Sequence, residues 1–115
     1  MIKKSTLITL IIILVIVIFS YYIITKDNTH QDADETFAKC LGEKSTIYIQ
    51  TGCHACKTQE EMFGDNYKYL NVVDCLVEPL KCTIVDIKVT PTWIVQGKKY
   101  EGVRSIEELK NASGC

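Results

Sequence analysis

This 115-residue sequence has no basic run and no excess of positive charge. Two of its 13 basic residues, Lys3 and Lys4, precede position 26, so residues 26–115 carry 11 basic residues against 14 acidic ones. Such a segment cannot neutralise many phosphates, which argues against nucleic-acid binding. Internal repeats and low-complexity stretches are also missing. Because apolar runs recur throughout residues 26–115, the composition argues against intrinsic disorder as well.

Residues 1–25 lack acidic side chains, and charge of either sign is missing from Leu7 to Ile24. An α-helix rises about 1.5 Å per residue, so this uncharged run covers roughly 27 Å, close to the thickness of a hydrocarbon core. Tyr21 and Tyr22 lie near the end of the run, where aromatic rings favour the membrane interface. We therefore expect residues 1–25 to form a cytoplasmic tip and a transmembrane anchor. A cleaved signal peptide is the alternative, although no small-x-small cleavage site follows the run.

The charges that flank the apolar run predict its orientation. Lys3 and Lys4 precede it, whereas Lys26 is followed by four acidic residues before position 36. The positive-inside bias then keeps the N-terminus in the cytoplasm and exports the remainder. Residues 26–34 are polar and aperiodic, and we expect a short tether there. Residues 35–115 suffice for one compact core, so they are predicted to form a single domain.

The domain alternates between helical and strand periodicity in the order α-β-α-β-α-β-β-α, which predicts an α/β fold. The segments are helices at 35–41 and 53–63, a helix from Pro79 that carries Leu80, Ile84 and Val85, a last helix from about 106, and strands at 46–50, 71–74, 92–95 and 98–101. Gly42 and Gly64 are expected to end the first two helices. Gln96-Gly97 is typical of a hairpin turn. Ser105 and Glu108 have the spacing of a capping box.

Six cysteines in so short a sequence make thiol redox chemistry or metal binding the first functional question. Cys53 and Cys56 form a CxxC pair where a predicted strand passes into a predicted helix. Unpaired N–H groups and the helix dipole stabilise a thiolate there, so Cys53 is the expected nucleophile and Cys56 the resolving thiol. His54 is either an exposed loop residue or, when protonated, a further stabiliser of the Cys53 thiolate. Haem attachment is excluded, because Lys57 rather than histidine follows Cys56.

The other cysteines are expected to form structural disulfides, which persist in an exported domain. Pairing near neighbours joins Cys75 to Cys82 and leaves Cys40 with Cys115. Cys75–Cys82 could instead be a second redox pair, and free thiols or an intermolecular bond through Cys115 are further alternatives. A zinc site shared with the CxxC pair is another alternative, although the C-x6-C spacing is unlike that of most zinc sites.

Several motifs in this order resemble a thioredoxin-fold protein across roughly residues 36–115. They are the strand Ile47–Ile49 leading into the CxxC motif, the segment Ile87 to Thr92, the Gly97 hairpin and Gly102 before the last helix. More closely, the sequence is similar to thioredoxin-like domains fused to, or paired with, prokaryotic vitamin K epoxide reductase homologues. The matching stretches are Phe37 to Leu41, Phe63-Gly64, Val73 to Cys75, Pro91 to Trp93, Tyr100 to Gly102 and Ser105 to Leu109.

The resemblance implies a cis Thr90-Pro91 bond packed against the dithiol, in a loop that pairs with the substrate backbone and keeps metal ions from the cysteines. It also implies a membrane quinone-linked partner of the vitamin K epoxide reductase type. No dissociable cofactor is expected, because the dithiol itself is the redox group. Two positions depart from thioredoxins. Gly52 stands where they have tryptophan, and Ile47 stands where they have a buried acid that helps the inner thiol lose its proton.

The sequence therefore predicts a membrane-anchored thiol–disulfide oxidoreductase on the outer face of a prokaryotic plasma membrane. Its substrates are expected to be protein thiols and disulfides. Ile47 weakens the case for a reductase and His54 favours a strong oxidant, so the expected role is disulfide formation in exported proteins. A reductase or isomerase of exported proteins is the alternative within this class, and a redox-inert metal-binding module is the alternative outside it.

Overall fold

The computed structural model describes residues 1–26 and 33–115, which fall into two separate compact units. The first unit is one α-helix, α1 (Lys4–Lys26). It is long and apolar enough to cross a membrane, a property that membrane anchors share with signal sequences. Most of the predicted tether, residues 27–32, lies outside the described residues. Ala33, at 1% exposure, and Asp34, the N-cap of the next helix, belong to the second unit.

A four-stranded mixed sheet forms the centre of residues 33–115. Its strands are β1 (Ser45–Ile49), β2 (Val72–Asp74), β3 (Thr92–Val95) and β4 (Lys98–Glu101), in the spatial order β2-β1-β3-β4. β1 runs parallel to β2 and antiparallel to β3, and β3 forms a hairpin with β4. Gln96 and Gly97 have φ angles of 49° and 82°, as a two-residue hairpin turn requires. The predicted hairpin is therefore confirmed.

Four α-helices and a 3₁₀ helix surround this sheet in the described part of the domain. They are α2 (Glu35–Lys44), α3 (His54–Glu61), the 3₁₀ helix Gly64–Tyr69, α4 (Pro79–Ile84) and α5 (Ile106–Ser113). The predicted order of helices and strands is found, and the 3₁₀ helix is an additional element that the sequence patterns did not predict. The capping box of Ser105 and Glu108 is present in full at the start of α5.

Gly42 does not end α2, contrary to the prediction, because the helix continues to Lys44. A Cβ atom at Gly42 would overlap the carbonyl oxygen of Tyr69. The glycine therefore lets the 3₁₀ helix lie directly against α2 rather than stopping the helix. Gly64, with φ of 50°, starts the 3₁₀ helix just beyond the C-cap of α3 at Met62.

Two apolar clusters lie on the two faces of the sheet, because successive side chains of a strand point to opposite faces. Ile47 joins the larger cluster, where the Phe63 ring lies 6.3 Å from that of Phe37 and 5.9 Å from that of Trp93. Tyr48 joins the smaller one, together with Cys82 of α4. A mixed sheet covered by helices on both faces is the α/β architecture that the sequence predicted.

Within α4, Cys82 is the buried side chain, and Val85 just beyond the helix packs against the same cluster. Leu80 and Ile84 point away from the core and are 75% and 81% exposed. The helix begins at Pro79 as predicted, but two of the three large apolar side chains assigned to it contribute nothing to the core.

Candidate active site around Cys53 and Cys56

The CxxC motif lies where strand β1 passes into helix α3. A tight turn follows β1, in which the Cys53 N–H donates to the Gln50 carbonyl at 3.0 Å and Gly52 has φ of 86°. Cys53 is the N-cap of α3, and its Sγ accepts a hydrogen bond from the Cys56 N–H at 3.1 Å. A sulfur that accepts from a helix N-terminus is in an environment that stabilises a thiolate once the pair is reduced.

The two cysteines of the motif differ in exposure. They form a disulfide with a Cα–Cα distance of 5.2 Å, in which Cys53 is half-buried and Cys56 only 5% exposed. Cys53 is therefore the more accessible of the two cysteines. This asymmetry suits one sulfur for exchange with a partner and the other for resolving the mixed disulfide.

The loop at Thr90-Pro91 packs against this disulfide. The Thr90-Pro91 peptide bond is cis, and the Thr90 carbonyl oxygen lies 3.6 Å from the Cys53 Sγ. The Thr90 hydroxyl donates to the same sulfur at 3.5 Å. The Pro91 carbonyl accepts from the Gly102 N–H at 2.8 Å, which holds the loop against the segment that leads into α5. The structure thus brings together two motifs that are widely separated in the sequence.

An open groove of about 460 Å³ runs along one side of the pair. Its walls are the turn before the motif and the exposed face of α3, with lining residues Ile49 to His54, Cys56, Lys57 and Glu60. His54 is the first residue of α3 and is exposed. The groove therefore places both signs of charge beside the cysteines.

Asp74 holds the turn before Cys53, a contact that was not predicted from the sequence. Its carboxylate accepts hydrogen bonds from the Thr51 hydroxyl, from the Thr51 N–H at 3.4 Å and from the Leu76 N–H at 2.9 Å. These bonds lower the pKa of the Asp74 carboxyl below its ordinary value, and the bond from the Thr51 hydroxyl has the largest effect. The only hint in the sequence is that an acid ends the strand predicted at 71–74.

Gln59 is a second missed residue, and it anchors α3 to the rest of the domain. It is 0% exposed, and its Oε1 accepts from the Arg104 N–H at 2.7 Å and from the Trp93 indole N–H at 3.2 Å. Its Nε2 donates to the Arg104 carbonyl at 3.0 Å. The amide thus joins the CxxC helix to β3 and to the loop before α5. Its place one turn after Cys56, on the buried side of the helix, was the available signal.

Tyr67, in the 3₁₀ helix, brings a buried hydroxyl near this region. No hydrogen-bond partner for its OH occurs among the described residues. Burial is the main cause that raises the pKa of Tyr67 to about 12, and the negative charges of Glu60 and Asp74 add to it.

The remaining cysteines form two further disulfides in the structure. Cys75–Cys82 links the end of β2 to α4 with a Cα–Cα distance of 5.7 Å, and Cys40–Cys115 links α2 to the residue after Gly114 with a distance of 6.0 Å. The region described by the structure contains no group of three or more His, Cys, Asp or Glu residues that could hold a metal ion.

This chain is similar to a curated protein and to part of a solved structure. No family model matches the chain. The chain is similar to protein disulfide isomerase-like 5-1 of Oryza sativa subsp. japonica, with 33% identity in an alignment of 95 residues. That alignment covers 68% of this chain and 65% of the rice protein, so the chain spans less than two thirds of its relative. A crystal structure of the NTD_N/C domain of alkylhydroperoxide reductase AhpF from Enterococcus faecalis matches with a TM-score of 0.47 and 16% identity, over 71% of this chain and 45% of that one.

Proposed function

We propose that this protein is a thiol–disulfide oxidoreductase that forms disulfides in exported proteins. The observation that carries the proposal is the pairing of a half-buried Cys53 at the N-cap of α3 with a more deeply buried Cys56, beside the loop of Thr90 and Pro91. The similarity to a protein disulfide isomerase-like protein supports the same chemistry.

In the proposed reaction, a substrate thiolate attacks the Cys53 sulfur, and the Cys53–Cys56 bond breaks to release the Cys56 thiolate. The second substrate thiolate then attacks the substrate sulfur of the mixed disulfide and expels Cys53 as a thiolate. The substrate loses two electrons and gains a disulfide, and the protein becomes a dithiol. Thr90 and Pro91 are proposed to hold the substrate backbone beside Cys53 during both steps.

Two observations support the oxidant direction. The Cys56 N–H already donates to the Cys53 sulfur, and a helix N-terminus stabilises the reduced thiolate, which makes the disulfide form more oxidising. Ile47 is fully buried in the sheet where thioredoxins have an acid, so the structure offers no carboxylate at that position to take the proton of Cys56. A reductase depends on that deprotonation more than an oxidant does.

The site of action is proposed to be the outer face of a prokaryotic plasma membrane. Helix α1 has the length and composition of a membrane span, and Lys3 and Lys4 lie before its apolar run. We propose that it remains as a single-pass anchor with a cytoplasmic N-terminus. A membrane enzyme of the vitamin K epoxide reductase type would then take two electrons from the dithiol and restore the disulfide.

Trapping of mixed disulfides tests the assigned roles. Cys56→Ser should accumulate disulfide-linked complexes with exported proteins, because its Cys53 thiolate still attacks the disulfides of oxidised proteins, which is the reverse of the proposed reaction, and the Cys56 thiol that would break the mixed disulfide is missing. Cys53→Ser is the matched control and should accumulate almost none. Complexes would be resolved by non-reducing electrophoresis after acid quenching. Equal trapping by both variants would overturn the assignment of nucleophile and resolving thiol.

The reduction potential separates the oxidant from a reductase. The full chain, equilibrated with glutathione buffers in detergent, should have a Cys53–Cys56 potential well above the value of about −270 mV that is typical of thioredoxin. A value at or below that of thioredoxin would establish the reductase direction instead. Failure of the purified protein to exchange disulfides at all, together with stoichiometric zinc or copper uptake, would support the metal-binding module.

A further inference from the structure

The turn that precedes Cys53 has little support from its own side chains. Gly52 stands directly before Cys53 and has φ of 86°. A Cβ atom added at Gly52 would have no described atom within 4 Å beyond its chain neighbours. Glycine adopts this left-handed conformation easily, but it also has more conformational freedom than any other residue. The position of Cys53 therefore depends on contacts that other residues make with the turn.

Asp74 makes such contacts from the neighbouring strand. It is the last residue of β2 and lies opposite Ile49, the last residue of β1. One oxygen of its carboxylate accepts from the Thr51 hydroxyl, and the other accepts from the Thr51 N–H at 3.4 Å. Both bonds end on a residue that stands two positions before Cys53. Asp74 thus ties the turn to the sheet.

The carboxylate of Asp74 is itself held in place. Its Oδ1 also accepts from the Leu76 N–H at 2.9 Å. The Cys75 N–H donates to the Ile49 carbonyl at 2.8 Å, which continues the pairing of β2 with β1 one residue further. The hydrogen bonds to the carboxylate, above all that of the Thr51 hydroxyl, lower the pKa of Asp74, so it stays ionised and a strong acceptor at neutral pH. A fixed acceptor can fix the turn that donates to it.

The turn matters for the chemistry because it sets where the Cys53 sulfur stands. The Cys53 N–H donates to the Gln50 carbonyl at 3.0 Å across the turn, and the Cys53 Sγ accepts from the Cys56 N–H at 3.1 Å. Stabilisation of a negative charge by a helix N-terminus falls off within the first turn, and a hydrogen bond weakens steeply as its angle bends. A small displacement of the turn would therefore weaken the stabilisation of the thiolate that forms when the pair is reduced.

We propose that Asp74 is a positioning residue for the exchange reaction: by fixing the turn at Thr51 it holds the Cys53 sulfur at the N-terminus of α3 and so raises the reduction potential of the CxxC pair. This inference rests on the proposed function and adds to it a residue that controls the oxidising strength of the site. The negative charge of a carboxylate acting alone would have the opposite effect, because it disfavours a nearby thiolate. The sign of the change on substitution therefore separates positioning from a simple effect of charge.

The test compares Asp74→Ala with Asp74→Asn in the full chain in detergent. Alanine removes all three hydrogen bonds of the carboxylate. Asparagine has the same shape without the charge: its oxygen can accept from the N–H groups of Thr51 and Leu76, and its amide can donate to the Thr51 hydroxyl. Each variant is equilibrated with glutathione buffers and alkylated, and the redox state of the tryptic peptide 45–57 is measured by mass spectrometry. That peptide contains both cysteines of the motif and none of the other four.

We expect the equilibrium constant for reduction of the pair by glutathione to fall about three- to tenfold in Asp74→Ala, which is about 14–30 mV for this two-electron couple. Asp74→Asn is the matched control and should keep the wild-type constant or exceed it. The rate at which iodoacetamide alkylates the reduced Cys53 at neutral pH should fall in Asp74→Ala and not in Asp74→Asn, because the thiolate is the nucleophile.

A constant in Asp74→Ala that is unchanged or higher would overturn the inference and leave the proposed function intact, even if the variant is less stable. A fall in Asp74→Asn as large as that in Asp74→Ala would overturn it too. Thr51→Val removes a single hydroxyl at an exposed position and should lower the constant about two- to threefold. If Asp74→Ala does not fold, an unchanged constant in Thr51→Val overturns the inference. Failure of the wild-type pair to exchange with glutathione at all would overturn the proposed function, and the inference with it.

Discussion

Gln59→Leu is the substitution whose effect follows most directly from the structure. Leucine is apolar, is somewhat smaller than glutamine and lacks its amide. The Arg104 N–H and the Trp93 indole N–H would then lose their acceptor, and the Arg104 carbonyl would lose a donor. Because Gln59 and Trp93 are 0% and 1% exposed, water does not reach the Gln59 end of these bonds.

The expected loss of stability follows from the buried polar groups that are left without a hydrogen-bond partner. A buried donor left without a partner costs about 1–3 kcal/mol, and two donors are stranded here. The better solvation of leucine in an apolar core offsets part of that cost. We therefore expect the free energy of unfolding to fall by about 2–5 kcal/mol, a large share of the stability of a small domain.

Equilibrium unfolding by guanidinium chloride in detergent, followed through the fluorescence of the single tryptophan, measures this loss. The control Glu61→Leu removes a polar side chain from an exposed position on the same helix. It should change stability by no more than about 0.5 kcal/mol. A loss of less than about 1 kcal/mol for Gln59→Leu would refute the view that its amide ties α3 to β3 and to the Arg104 loop.

Three further predictions concern other parts of the domain. The pKa of Tyr67 is raised to about 12, so the unfolded chain, with a tyrosine pKa near 10, loses this proton first. Stability should therefore fall as the pH rises from about 10 towards 12, and Tyr67→Phe should remove that part of the fall; identical pH profiles would contradict the assignment. Cys75→Ala with Cys82→Ala should lower the free energy of unfolding by roughly 2–3 kcal/mol and leave activity per folded molecule near wild type. A large loss of activity in a folded double variant would instead support a redox relay. His54→Ala should lower the reduction potential in glutathione buffers if the imidazole stabilises the Cys53 thiolate. An unchanged potential would show that His54 is an exposed residue without this role.

Local signals in the sequence sufficed for the order of the elements and for the CxxC motif. Period-2 and helical patterns, the Gln96-Gly97 turn and the Ser105 capping box act within a few residues, so they can be read without the fold. The same holds for the apolar run of α1. The prediction that Gly42 ends the first helix of the domain was wrong. A glycine near the end of a helical pattern predicts a stop, yet here its missing Cβ serves the close approach of Tyr69, which belongs to a different helix.

The contacts that shape the candidate site belong to the tertiary structure alone. Asp74 reaches Thr51 across 23 residues, and Gln59 reaches Arg104 across 45, so no short pattern announces either bond. The outward orientation of Leu80 and Ile84 likewise depends on which side of α4 packs against the sheet. The buried side is that of Cys82, which the disulfide links to Cys75 at the end of β2. Sequence periodicity by itself determined which elements form and where the reactive cysteines stand among them. Packing between distant elements decided which polar groups hold the cysteines in place and which apolar groups stay exposed, because burial and hydrogen bonding depend on neighbours in space.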